Sequence, residues 1–341
     1  MMGSVRQGGE DSDRCAAMSD DGRLRPMPRR QQGAEGGRPL RPVTEHGPAD
    51  AAGRSSLREV WLPVALFLLS LGLVVNVALG PLGVGTIRYH ISTSMRNQLI
   101  GLDAVTLLVV VPMAWVVGVM AWRRHPSASV LAIAPGLFVA YMLPQYIVGP
   151  DYLNLPGNNQ RFFLLHLSLF VLGVAVAVIG WTTIDDDRMP DVSDGAAYLA
   201  SRVLFVGALF LVVALHLPGI IDALSATPTN AAFRDSPTAF YVVKLMDLGL
   251  IVPASIVVGV GLSHRRPWAT KMMYPLIGWL ALDAIAVSAM AIVMEVNNDP
   301  TGSMVLVVGF VTLTLVLVLL TVHLWRPLAH PVKGYRSIAR Q

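Results

Sequence analysis

The residues able to do chemistry in this chain stand inside long apolar runs: Asp103, Lys244, Asp247, Asp283, His166 and His216. An ionisable side chain near the centre of a bilayer costs about 2.5–3.5 kcal/mol on insertion scales, so it has a partner or a function. Asp283 is the strongest candidate. Its flanks, Trp279-Leu-Ala-Leu before it and Ala-Ile-Ala after it, hold no charged neighbour within a helical turn. It lies about 13 residues, roughly 20 Å at 1.5 Å per residue, from the near end of its segment, too deep for its short side chain to reach water along the helix. A carboxyl so placed suits the uptake and release of a proton. Lys244 and Asp247 are three residues apart, so one helical face carries both and they are expected to pair. Lys244 then either neutralises Asp247 or meets an anionic group.

Each of these residues also has a purely structural reading. Asp103 falls within the first turns of its helix, where a carboxylate suits the dipole. Lys244 can snorkel outwards with Asp247 as its counter-ion. His166 and His216 can be hydrogen-bonded core histidines. Their similar depth permits a bis-histidine haem or a metal site, but no ligand spacing supports either, so no cofactor is expected.

The elements that position these groups are apolar segments near residues 60–81, 99–122, 128–149, 161–184, 199–221, 240–263, 270–295 and 303–325. Each is about 20 residues or longer, the length a membrane helix needs. The chain of 341 residues is 54% hydrophobic and 14% charged, against about 25% charged for a soluble domain. The predicted fold is therefore an all-α, polytopic bundle of eight transmembrane helices over residues 59–326. A Gly-, Arg- and Pro-rich tail over 1–58 is expected to be disordered, and residues 327–341 form a short basic tail. The net charge of +4 needs no nucleic-acid partner, because basic residues also orient membrane helices. The single cysteine, Cys15, excludes internal disulfides and cysteine-ligated clusters. The first apolar run begins near Trp61, so no cleavable signal peptide is expected. There is no GxxxxGK[ST], HExxH, GxSxG or Gly-rich dinucleotide fingerprint.

Loop charges give an orientation. Arg54, Arg58, Arg123, Arg124, Arg265, Arg266, Lys271 and Arg326 share one side, which the positive-inside rule places in the cytoplasm with both termini. Trp61, Trp122, Trp181, Trp268 and Trp325 mark the same interface. The acidic loop at 185–194 dissents, and acidic residues weigh little in topology. The expected location is the plasma (inner) membrane. With this orientation Asn76, Asp103, Tyr141, Gln145, His166, His216, Lys244 and Asp247 all fall in the outer half of the bilayer, and Asp283 near its middle. A shared depth is what a polar cavity open to the outside produces.

The second and sixth segments also resemble each other. Val111-Pro112 with Val116-Val117-Gly118-Val119, Arg124 and Pro126 lies without gaps over Val252-Pro253 with Val257-Val258-Gly259-Val260, Arg265 and Pro267. A parallel four-plus-four duplication, with repeats over 60–184 and 199–326, is one reading. Coincidence between Val- and Gly-rich helices is the other. Pro237-Thr238, Asp247-Leu248-Gly249 with Pro253, Arg265-Arg266-Pro267-Trp268, and Asp103-Ala-Val-Thr106-Leu with Pro112 resemble an uncharacterised family of bacterial multi-pass membrane proteins. The resemblance spans residues 60–325 and implies an eight-helix bundle without an assigned activity.

The expected function is transport or binding of a small solute or ion, with proton coupling at Asp283. Its cavity would be built from Asp103, Lys244, Asp247 and Asp283. One alternative is a membrane-embedded enzyme on a lipid-like substrate, with His166 or His216 as base and Asp283 as its partner. Another is a non-catalytic subunit or sensor whose polar residues hold the bundle together. The expected partners are the bilayer and a solute, ion or lipid.

Overall fold

The computed structural model describes residues 57–329. The tail expected over 1–58 lies almost wholly outside the described residues, as does most of the basic tail at 327–341. Eight helices are long and apolar enough to span a membrane: α1 Glu59–Leu79, α2 Thr93–Trp122, α3 Ala128–Val148, α4 Asn159–Thr182, α5 Asp194–Ala223, α6 Pro237–Ser263, α7 Pro267–Val296 and α8 Met304–Ala329. This is an all-α, multi-pass membrane protein. Two helices begin several residues before the apolar pattern does, and side-chain caps explain why. Ser92 accepts a hydrogen bond from Met95 N at the start of α2, and Ser193 accepts one from Ala196 N at the start of α5. A cap satisfies an orphan N–H and lets polar residues enter the first turn.

Lipid tails are as apolar as leucine, so helices associate in a bilayer through close packing rather than burial. Glycines supply the closest approaches here. A Cβ on Gly136 of α3 would lie 2.8 Å from the Gly173 carbonyl of α4, and one on Gly180 would lie 2.7 Å from the Ser129 carbonyl. Gly101 brings α2 equally close to α7, with Met290 N 2.6 Å from the position of its absent Cβ. α3 and α7 are the most buried helices and touch each other, while α5 and α8 are the most exposed. Leu108, Leu164, Leu245 and Leu319 point outwards, as lipid-facing side chains do.

Among the described residues, widened π-turns occur at Leu57–Trp61 at the start of α1, ahead of Pro63, at Thr106–Val110 in α2, at Phe210–His216 in α5 and at Asp247–Ile251 in α6. Pro112, Pro218 and Pro253 each follow just behind. Proline lacks the N–H that would close the preceding turn, and its ring crowds the carbonyl four residues back. The widened turn accommodates both, and such turns recur at functional sites. His216 closes one π-turn and Asp247 opens another.

The two stretches of similar sequence share their backbone as well. In the same gap-free register, Thr106–Val110 and Asp247–Ile251 are both π-turns, and Val111–Trp122 and Val252–Ser263 are both α-helical. Arg124 and Arg265 both take the left-handed conformation, with φ of 58° and 52°. α1 packs on α2 as α5 packs on α6, and α3 packs on α4 as α7 packs on α8. The match breaks at α4 and α8. α4 also packs against α1, and α8 has no comparable contact with α5.

The acidic loop that dissented in the sequence is matched locally by basic residues. Lys271 Nζ meets Asp186 at 2.7 Å, Arg265 meets Asp194 at 2.9 Å and Arg188 meets Asp185 at 3.0 Å. Trp61, Trp122, Trp181 and Trp268 are exposed at this same end. Trp325 differs: its indole N–H donates to the Tyr274 carbonyl at 3.2 Å, and its ring packs over Gly278.

Candidate functional site

A cavity of about 290 Å³ opens among α2, α3, α5, α6, α7 and α8, towards the end of the bundle opposite the described chain ends. First-turn residues of α2 line it, with last-turn residues of α3 and the loop residues Tyr89 and Pro150. Most of its wall is apolar, and Met95, Met142, Met290 and Phe310 contribute to it. Its polar wall includes Asp247, His216, Lys244, Asp283, Tyr141 and Gln145. Six of the nine sequence candidates line this one cavity.

Asp247 is fully engaged. His216 Nε2 donates to its Oδ2 at 2.7 Å, and the Tyr141 hydroxyl donates to its Oδ1. The expected Lys244–Asp247 ion pair is not formed. The Lys244 ammonium lies over the Phe240 ring, 3.4 Å from its centroid. Helical side chains lean towards the N-terminus, so the lysine stem runs back over the residue at i−4 and away from the one at i+3. Both Asp247 oxygens are taken from other helices in any case. Gln145 makes only long contacts, to the Tyr141 carbonyl at 3.5 Å and the Met142 sulfur at 3.8 Å.

Asp283 faces the cavity from α7 and has no hydrogen-bond or ion-pair partner among the described residues. The Asp247 carboxylate, a like charge, lines the same cavity and acts on it. Trp279, one turn earlier, packs edge-on against Tyr141 at 5.5 Å.

Asp103 does not line this cavity, which corrects the expected four-residue site. It lies behind the wall in a second polar cluster with Asn76, Tyr89, Tyr146 and His166. The Tyr146 hydroxyl donates to Asp103 Oδ1 at 3.4 Å, and Tyr89 shares a 2.9 Å hydrogen bond with His166 Nε2. Gly80 makes room for the aspartate, since a Cβ there would stand 3.0 Å from Asp103 Oδ2. Burial, and then the neighbouring Asp103, hold the Tyr89 phenol well above the usual tyrosine range, so it stays protonated. Asn76 Oδ1, Asp103 Oδ2 and His166 Nδ1 are buried with no partner at hydrogen-bond geometry among the described residues. The two histidines thus serve different clusters and do not form the paired ligand set that their depth allowed. No group of three metal-ligating side chains occurs among the described residues.

Tyr146 and Tyr89 belong to both centres, since each lines the cavity and touches the Asp103 cluster. Sequence reasoning missed both. Tyr146 directly follows Gln145 and was legible as a polar residue at the same depth. Tyr89 sits in the α1–α2 loop, and nothing in its flanks marks it. That loop is tied to the α3–α4 loop and the start of α4 by Arg88 N to Asn158 Oδ1 at 2.8 Å, Asp151 N to the His90 carbonyl at 2.7 Å, and His90 Nε2 to Gln160 Oε1 at 2.9 Å. The tie holds Tyr89 in place.

Compared with known proteins, the chain matches no family model, no curated protein and no solved structure. Its function is read from this geometry alone.

Proposed function

We propose that this protein binds and carries a small solute or ion across the membrane, coupled to a proton at Asp283. One observation carries the reading: a carboxyl in mid-helix faces a cavity with no hydrogen-bond or ion-pair partner among the described residues, while the other cavity carboxylate is held by two donors. An unpartnered ionisable group at this depth is costly unless it works. The rival role for His216 as a general base gains no support. Its Nε2 is bound to Asp247, and its Nδ1 is buried without surface for a substrate.

The cavity opens outwards in this proposal, with both termini in the cytoplasm of a cell with a plasma (inner) membrane. The basic residues and exposed tryptophans at the opposite end support that orientation. In a Cys15→Ser background, Leu153→Cys and Ala226→Cys are expected to react with a membrane-impermeant maleimide on whole cells. Arg123→Cys and Arg266→Cys should react only after lysis. The reverse pattern would invert the orientation. The shared π-turns and left-handed arginines of α2 and α6 support an origin by duplication, with the two halves differing most at α4 and α8.

Coupling is testable in proteoliposomes holding a pH-sensitive dye, challenged in turn with small amines, carboxylates, sugars and amino acids. At least one class is expected to change internal pH. Asp283→Asn should abolish that response more than tenfold while inserting and melting like the parent. Solute-driven proton flux that survives Asp283→Asn would end the assignment.

A further inference from the structure

We propose that the solute is an organic cation with an apolar group, and that it enters in exchange for the Asp283 proton. This rests on the carrier reading above and names its substrate class. The charges facing Asp283 decide the sign. α6 presents Asp247 and Lys244, α5 presents His216, and α3 presents the phenols Tyr141 and Tyr146. α2 adds the uncharged Gln98 and α8 adds Phe310. The Asp247 oxygens already have their donors, and the Lys244 ammonium is turned onto Phe240. Asp283 is therefore the cavity carboxyl that has neither a donor nor a cation against it among the described residues.

An anion would meet the Asp247 carboxylate and would hold the proton on Asp283 instead of releasing it. A small bare metal ion needs several oxygen ligands to replace its water, and no three-member ligand group is present among the described residues. The methionines and Phe310 offer polarizable walls that suit an alkyl or aryl ammonium. A volume of about 290 Å³ stands at the bottom of the roughly 300–1,000 Å³ range of small-molecule sites. It fits a ligand the size of benzyltrimethylammonium.

One carboxyl cannot hold a proton and a cation together. When the cation arrives, the Asp283 O–H bond breaks and the proton passes to water. The carboxylate then faces the ammonium group. One positive charge leaves for each that enters. Reprotonation expels the cation, so acid on one side and alkali on the other drive exchange.

The test uses the purified full-length protein in detergent, titrated calorimetrically with benzyltrimethylammonium, phenylacetamide and phenylacetate. The cation is expected to bind at least tenfold tighter than either of the others. In weakly buffered solution about one proton should appear per cation bound, and affinity should fall as pH is lowered. Asp283→Asn should lose the binding and the proton release together. The proton count on the unaltered chain stands even if that variant does not fold. Cation binding without proton release overturns the exchange. Equal or tighter binding of phenylacetate or phenylacetamide overturns the cation assignment and leaves the carrier reading intact. Binding of none of the three also overturns it, and the flux assay then judges the carrier reading independently.

Discussion

Replacing His216 with leucine is expected to lower the stability of the detergent-purified protein by about 3–5 kcal/mol. The substitution leaves the Asp247 carboxylate inside the bundle with Tyr141 as its remaining donor among the described residues. Two magnitudes compete for this site. A side-chain hydrogen bond between membrane helices is worth on average about 0.6 kcal/mol, and at most about 1.7, because the separated helices find other partners. Removing one member of a buried pair costs more, since the charge left behind has neither its partner nor bulk water. A double variant, His216→Leu with Asp247→Leu, leaves nothing uncompensated. It should be more stable than His216→Leu alone. Chemical unfolding of the parent, both single variants and the double variant closes the cycle. If the double variant loses the sum of the two single losses, the side chains do not interact. Lys244→Ala is the informative contrast. Paired directly with Asp247, the lysine would match His216 in cost. Resting on Phe240, it should cost only about 0.5–1 kcal/mol.

Gly101→Leu should cost about 1–3 kcal/mol or more and abolish the cavity. A Cβ at Gly101 would come within 2.6 Å of Met290 N and 2.7 Å of the Ala289 carbonyl carbon and oxygen. These are backbone atoms of a packed helix, so no side chain can swing aside. α2 and α7 must separate, and both line the cavity, α2 with Gln98 and α7 with Asp283 and Met290. Gly207→Ala gives the opposite sign. Nothing lies within 4 Å of its Cβ position. A helix-interior glycine is less stable than alanine by roughly 0.5–1 kcal/mol, so the change should stabilise by about that much. Melting curves and benzyltrimethylammonium titrations on both variants read the two effects separately. A Gly101→Leu protein that melts like the parent would show that α2 and α7 are not in contact there.

The sequence by itself determined which segments are long and apolar enough to span a membrane and where along each the polar residues fall. Both follow from one-dimensional quantities, the run length needed to cross hydrocarbon and the 1.5 Å rise per residue. Asp283 was legible for that reason, because its depth alone makes it costly. The π-turns were half legible. Pro112, Pro218 and Pro253 announce a disturbed turn, but not whether it kinks, tightens or widens. Depth says nothing about which neighbour a side chain faces. That is set by how each helix is rotated against the next, which depends on where glycines let backbones touch. So Asp103, at the right depth, lies behind Tyr146 in a separate cluster. Asp247 meets His216 across 31 positions of sequence rather than Lys244 three residues away. The i, i+3 spacing placed Lys244 and Asp247 on one face, yet a helical side chain leans back towards its N-terminus and two other helices already occupied the carboxylate. Tyr89 entered the site because its loop is tied to the α3–α4 connection by backbone and side-chain hydrogen bonds, a long-range pairing with no local sequence signal. Only the tertiary structure decided that Asp283 would have no partner among the described residues, because that is a statement about every helix around it at once.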